Sequence, residues 1–206
     1  MTDFTLTPIG IVKNDAKKEV LRVSKNDLKL DGKVARNQGA DLMKSKIIIN
    51  DEYIDCLDGI EDFSHINILF WTHKISDKAR QIKKVHPAGI RKFPLKGIFA
   101  TRSPARPNPI CMTTVKLIER KGNILFVEQL DAIDGTPVID IKPHLPYYDS
   151  PIDVKLADWM YDLMGELRDL TKNQYSDASS NPYSTNIRAH PCIQKDQKNE
   201  KLDRLR

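Results

Sequence analysis

Two short stretches carry residue types suited to holding a charged small molecule. The first, Thr101-Arg102-Ser103-Pro104-Ala105-Arg106-Pro107-Asn108-Pro109, places two guanidiniums among three prolines. Each proline fixes φ and removes a backbone donor, so neither a helix nor a central strand can continue through it. Each also pushes the residue before it, here Ser103, Arg106 and Asn108, toward extended geometry. The expected product is a stiff loop presenting Arg102 and Arg106, whose planar forks match carboxylate and phosphate oxygens. The second stretch, Leu130-Asp131-Ala132-Ile133-Asp134-Gly135-Thr136-Pro137, has the Asp-Gly and Thr-Pro steps of a turn between apolar runs. Its carboxylates and open amides can face a ligand: Asp134 can accept from hydroxyl or amine groups, and Gly135 permits close backbone approach. Each residue also has an ordinary role open to it. Arg102 could form an ion pair that pins its own loop, and Asp134 could simply shape its turn.

Other chemistries find little support. There is no G-x-G-x-x-G, so a nucleotide-type ligand would need a pocket built from loops rather than the glycine turn of a doubly wound sheet. Phosphate-loop and serine-hydrolase motifs are absent. The five histidines, His65, His73, His86, His144 and His190, show neither i, i+4 pairing nor zinc-type spacing with cysteine, so no metal is expected. His65 and His73 share a parity, but along one ideal strand they stand about 26 Å apart, too far to share an ion. Cys56, Cys111 and Cys192 are odd in number, widely spaced and without a C-x-x-C pair, which points to reduced thiols.

The run Phe99 to Pro109 (FATRSPARPNP), then Leu130-Asp131 and Asp134 to Pro143 (DGTPVIDIKP), resembles the TsaA-like, TrmO-type methyltransferases. The resemblance extends to Ile9-Gly10-Ile11-Val12 and to Leu57 through His65 (LDGIEDFSH), and so covers most of residues 5 to about 150. It implies a β-barrel, a homodimer, S-adenosylmethionine as cofactor, and methylation of N6 of threonylcarbamoyladenosine beside the anticodon of threonine tRNA. It also implies cofactor contacts at His73, Arg102, Met112 and Asp134-Gly135-Thr136-Pro137. The family's Pro-Arg-Gln element is not matched; Ala35-Arg36-Asn37-Gln38 stands in that region, and no contact is carried over to it. Cys111 occupies the place where relatives often have glycine, and reads as a small buried thiol.

An acceptor bearing a carbamoyl threonine brings a carboxylate as well as phosphates, so cations are needed beside it. Arg106, Lys142 and His144 are candidates for that anion, with Asn108 available for a base edge or for fixing the loop. Against these stand a solvated lysine, a turn-capping asparagine and a histidine satisfying a backbone group. Asp134 and Asp140 could take a proton from the ureido nitrogen by residue type alone, and no catalytic base is named. Two other functions stay open: an RNA-binding β-barrel without catalysis, and an S-adenosylmethionine-dependent methyltransferase acting on a small molecule.

Short strands must position these loops. β-branched residues mark Thr5 to Lys13 and Lys46 to Ile49, and Ile66 to Thr72 is apolar on both parities, as in a strand covered on two faces. The runs Ile110 to Ile118 and Ile124 to Leu130 flank Lys121-Gly122-Asn123 as a hairpin, and Val138 to Ile141 adds a strand. Gly97 to Ala100 reads as a short strand entering the arginine loop, and Asn50 or Asp51 as the cap of a short helix through Leu57. Ser76 to Lys84 reads as a helix or a lid, and residues 14–46 as irregular strands or an insert. With almost no amphipathic helix between strands, the fold class is mainly β: a single-domain β-barrel with short peripheral helices. Ser150, Pro151 and Asp153 look like a helix start, and Leu156, Trp159, Met160, Leu163, Leu167 and Leu170 recur at helical spacing, predicting a C-terminal amphipathic helix.

The expected organisation is a barrel domain over 1–150, a helix over 151–170 packed on the barrel or a second subunit, and a polar, weakly ordered tail over 171–206. The chain of 206 residues, 40% hydrophobic and 30% charged, has the composition of a globular protein. Its net charge of +5 is compatible with a polyanionic partner. With neither a signal-like start nor an apolar run approaching ~20 residues, it reads as cytoplasmic.

Overall fold

Alternation of apolar and polar residues decides which side of each strand faces inward. In the computed structural model, which describes residues 5–24, 27–30 and 44–171, ten strands are present. Six of them close a barrel: β1 (Gly10–Lys13), β4 (Ser45–Ile49), β5 (His65–Trp71), β8 (Ile110–Lys121), β9 (Ile124–Glu128) and β10 (Pro137–Pro143). Their order around the barrel is β1-β10-β5-β8-β9-β4, and every pairing is antiparallel. Val12, Ile47, Ile49, Ile66, Ile68, Phe70, Val115, Leu125, Val127 and Val138 fill the interior. Closure depends on β1, which pairs with both β10 and β4. Gly10 lies at that seam, where a Cβ would collide with the Ile48 carbonyl oxygen. In β5, Asn67 is buried on the outer face and accepts from the Thr114 hydroxyl (2.7 Å), so both faces of this strand are partly covered, as its composition suggests.

The β8–β9 hairpin turns at Gly122-Asn123, with Gly122 at φ 59°, the left-handed conformation that a tight hairpin turn requires. Outside the barrel, β2 (Leu21–Ser24) and β3 (Asp27–Leu30) form one ladder, and β6 (Lys84–Val85) and β7 (Lys96–Gly97) another. Leu28, Ala79, Ile82, Val85, Ile98 and Ala105 form a second, smaller core. Asp27 ties β3 to β6 by accepting from the His86 backbone N–H (3.0 Å) while its other oxygen lies 2.6 Å from His86 Nδ1. A one-turn helix, α1 (Asp77–Arg80), is capped by the Ser76 hydroxyl, which accepts from the Ala79 N–H at 3.3 Å.

Three local expectations need correction or narrowing. Only Gly97 of the 97–100 segment is strand; Ile98–Ala100 is a 3-10 turn, because the Ile98 carbonyl is taken by the N–H and hydroxyl of Thr101. Asp51–Leu57 is also 3-10, and the Asn50 side chain bonds the Pro8 carbonyl (3.1 Å) instead of capping it. The C-terminal helix does not begin at Pro151. Ser150 ends α2 (Pro146–Asp149), its N–H donating to the Pro146 carbonyl, and Pro151 holds it outside helical geometry; α3 starts later (Asp158–Thr171). The chain divides into two compact units, Met1–His144 and Leu145–Arg206. The Ala35-Arg36-Asn37-Gln38 element and residues 172–206 lie outside the described residues. Among the described residues no helix is long and apolar enough to cross a membrane.

Candidate functional site

Strand register brings the two chemistry-bearing loops to one rim of the barrel. Val138 at the start of β10 pairs with Phe70 at the end of β5, and Phe70 pairs with Cys111 at the start of β8. The segment after β9 returns to the same rim, since Glu128 already faces Lys116 and the chain continues toward the start of β8. The Arg102 loop, the Asp134 turn, His73 and Met112 therefore share one end of the molecule. The N–H and hydroxyl of Thr72 both donate to the Pro109 carbonyl at 2.9 Å, which locks the end of β5 to the end of the arginine loop.

The loop is rigid for reasons beyond its prolines. Ala105 is fully buried in the smaller core, and Ser103 is buried with its hydroxyl accepting from the Ala105 N–H. Arg106 braces the loop from within, its Nε donating to the Ser103 carbonyl (2.8 Å) and Nη2 to the Thr101 carbonyl (2.7 Å). Arg102 is different. It is exposed, and its one hydrogen bond among the described residues runs from Nη2 to the Met112 carbonyl at 2.8 Å, so its remaining N–H groups are available. Met112 leaves its side chain exposed beside it, and Asn108 is exposed on the same loop.

Asp131 completes this group. The residue is exposed at the surface while protein atoms crowd its carboxyl, which makes no hydrogen bond or ion pair with a described residue. Desolvation pushes its pKa above the usual carboxylate range, opposed by the charge of Arg102. The Cys111 thiol is raised by burial and by Asp131, with Arg106 and Arg102 pulling the other way. It is therefore a protonated, half-buried thiol and not an activated nucleophile. In the sequence Asp131 is one of two carboxylates of the turn that can face a ligand, and it is not singled out from Asp134 three residues later.

The Asp134 carboxylate is already engaged. Oδ1 accepts from the Asn14 N–H (3.2 Å) and Oδ2 pairs with Lys17 Nζ (2.9 Å), while the backbone N–H groups of Asp134 and Gly135 reach the Ala16 and Val12 carbonyls. Gly135 has φ 78° with open space where a Cβ would stand, and Thr136 is buried. Lys17 extends this network, its carbonyl accepting from Lys74 Nζ at 3.1 Å. His73, next to Lys74, is exposed; desolvation and then the Lys74 charge lower its pKa, so it is neutral at pH 7.

The bond from Lys17, aided by the Asn14 N–H and opposed by desolvation, holds the Asp134 carboxyl below its ordinary value of 3.8. A depressed carboxylate contributes stability fully above that ordinary value and loses it as pH falls through the lower folded value. Wild type and Asp134→Asn are therefore expected to differ in urea midpoint at neutral pH and to converge in the acid range below 3.8. A constant gap across that range would show that the ion pair contributes nothing.

Lys142 and His144 lie elsewhere. β10 runs away from the rim, and by Lys142 it pairs with Asn67 near the start of β5; the His144 N–H donates to the His65 carbonyl. Six residues of strand put Pro143 about 20 Å from Pro137. Lys142 pairs with Asp140 at 2.7 Å. Asp140 lines a different cavity of about 300 Å³ near that far end, walled mainly by Ile9, Ile49, Leu57, Ile60 and Ile141. Asp131, whose carboxyl feels the Arg102 charge, has no hydrogen bond or ion pair among the described residues. Among the described residues no cluster of His, Cys, Asp or Glu is arranged to hold a metal.

A family profile for the tRNA-methyltransferase O N-terminal domain matches residues 15–150. A probable S-adenosyl-L-methionine-binding protein of Methanothermobacter thermautotrophicus is 40% identical over 148 residues, covering 72% of this chain and 95% of that protein. The human tRNA (adenine(37)-N6)-methyltransferase is 43% identical over 122 residues, 57% of this chain but 26% of that protein. The crystal structure of TrmO from Pseudomonas aeruginosa superposes with a TM-score of 0.53 at 26% identity, over 76% of this chain; the chain spans 64% of that structure's length. The barrel, the rim and a profile match running through both loops lead to one conclusion: this chain belongs to the tRNA-methyltransferase O N-terminal-domain family.

Proposed function

We propose that this protein is an S-adenosylmethionine-dependent methyltransferase acting on N6 of threonylcarbamoyladenosine beside the anticodon of threonine tRNA. One observation carries the reading: a single rim gathers the spare donors of exposed Arg102, an Asp131 carboxyl with no partner among the described residues, an exposed Met112, a neutral His73 and the Asp134-to-Pro137 turn. These residues fit the cofactor's chemistry. Arg102 would hold its carboxylate or ribose oxygens, Asp131 would accept from its amine or hydroxyls, Met112 would give apolar contact, and the Gly135 backbone would allow close approach. Asp134, Thr136 and Pro137 act by shaping the turn. When bound, the cofactor supplies an electrophilic methyl; the task of the chain is to hold it in line with the acceptor nitrogen and keep both still, which can lower the barrier by up to about 7–11 kcal/mol.

Asn108 on this rim is available to a base edge, while Arg106 has one terminal nitrogen without a partner in its loop. Lys142 and His144 sit too far along β10 to serve the same site within one copy, so the proposal includes a homodimer in which a second copy brings them to the acceptor. Calorimetry with S-adenosylhomocysteine, together with incorporation of labelled methyl into threonine tRNA with and without its threonylcarbamoyl group, tests this reading. Saturable binding and incorporation only into the carbamoylated tRNA are expected. Binding without incorporation would move the acceptor to a small molecule, and absence of binding at millimolar cofactor would leave an RNA-binding barrel without catalysis.

A further inference from the structure

From residue 78 to residue 118 the chain has ten lysines and arginines and no aspartate or glutamate, although its net charge is only +5 overall. Some of these cations are engaged within the fold. Arg80 stacks on Trp71 and pairs with Asp77, Lys92 lies over Phe93, and Arg106 braces its own loop. Lys83 just before β6, Lys84 on β6, Arg91 in the connection from β6 to β7, and Lys96 on β7 have no ion pair or side-chain hydrogen bond with a described residue. All but the half-buried Lys96 are exposed.

Beside them stands an aromatic ring that the fold does not use. Phe99 is 81% exposed, and Leu95 is also open. Exposing most of a phenylalanine forgoes burial that is worth about 1.5–3 kcal/mol for a large apolar side chain. The turn carrying the ring is tied down on both sides. Ile98 is buried in the smaller core and its N–H donates to the Lys83 carbonyl (2.9 Å), while its own carbonyl accepts from the Thr101 N–H (3.2 Å) and hydroxyl (2.9 Å). Phe99 is thus held near Lys83 and three residues before Arg102. A fixed, open ring flanked by unpaired cations suits a ligand that offers flat aromatic faces joined by phosphates. Single-stranded RNA does this, whereas a duplex hides its base faces in the stack.

We infer that Phe99, with Lys83, Lys84, Arg91 and Lys96, is a docking surface for single-stranded RNA, the ring stacking on one unpaired base and the cations following the adjoining phosphates. The inference rests on the proposed function for the identity of the RNA, an anticodon loop, but the surface stands on charge and exposure. It gives the Arg102 rim a platform for a nucleotide neighbouring the acceptor.

Fluorescence anisotropy with a labelled anticodon stem-loop, and with a fully paired RNA as control, tests it on the full chain. Phe99→Ala is expected to weaken stem-loop binding about tenfold or more, with little effect on the paired control. Phe99→Trp should keep the affinity and show indole emission quenched by RNA. Lys83→Gln with Lys84→Gln should lower the slope of log affinity against log salt by about 1.4, roughly 0.7 for each phosphate no longer neutralised. In all these variants the affinity for S-adenosylhomocysteine should stay at the wild-type value. Wild-type stem-loop affinity in Phe99→Ala and in the lysine double variant would overturn the inference, as would displacement of the RNA by poly-glutamate at equal charge concentration. Failure of the wild type to bind S-adenosylhomocysteine would instead remove the proposed function and leave this surface to be judged on RNA alone.

Discussion

Arg102→Ala is expected to lower the affinity for S-adenosylhomocysteine by about one to two orders of magnitude while leaving the melting temperature nearly unchanged. A hydrogen bond to a charged group contributes about 1.5–3 kcal/mol, and Arg102 has donors to spare beyond its single bond to the Met112 carbonyl. Its side chain is exposed, so its removal takes little packing with it. Removing the guanidinium also removes the charge that opposes the desolvation of Asp131, so the proton affinity of Asp131 should rise further and its use as an acceptor should weaken. Arg102→Lys should recover only part of the affinity, because an ammonium cannot present two parallel donors. Calorimetry and thermal melting on the same samples separate the two roles. Unchanged affinity with a lowered melting temperature would make Arg102 a loop brace, the role that Arg106 already fills.

The second large effect concerns the barrel itself. Ile68 is fully buried at the middle of β5, facing Ile141 on one neighbouring strand and Thr113 on the other. Truncation to alanine leaves a cavity that a closed barrel cannot easily collapse, since each strand is bonded on both sides. Ile68→Ala is expected to cost about 2–5 kcal/mol of stability, read as a lower urea midpoint with an unchanged slope. Cofactor affinity should survive wherever the variant is folded, because Ile68 lies in the interior and not on the Arg102 rim. A loss below about 1 kcal/mol would mean that the interior repacks far more freely than interiors of native density do.

Much of the framework is legible because its causes are local. The apolar run at Ile66–Phe70, the paired runs around Gly122-Asn123 and the β-branched Ile47–Ile49 become strands for reasons that a few neighbouring residues contain. The local reading fails where a particular hydrogen bond closes a turn inside the run. Ile98 and Phe99 look like strand residues, but the Thr101 N–H and hydroxyl close a turn upon them. Ser150-Pro151 looks like a helix start, but the Ser150 N–H is already bonded to Pro146.

The candidate site divides along the same line. Residue types and spacing alone determined that a proline-stiffened loop would present arginine and that an Asp-Gly turn would follow a hairpin, since φ restriction and turn chemistry act within a few residues. Only the tertiary structure decided which of two similar arginines remains available, since Arg106 finds the carbonyls of its own loop and Arg102 does not. The fold likewise decided that Asp131 has no partner among the described residues while Asp134 is held by Lys17, and that Lys142 lies at the far end of β10 from Gly135. These outcomes depend on strand order and register, which bring together residues more than a hundred positions apart and separate others only a few positions apart by a strand's length.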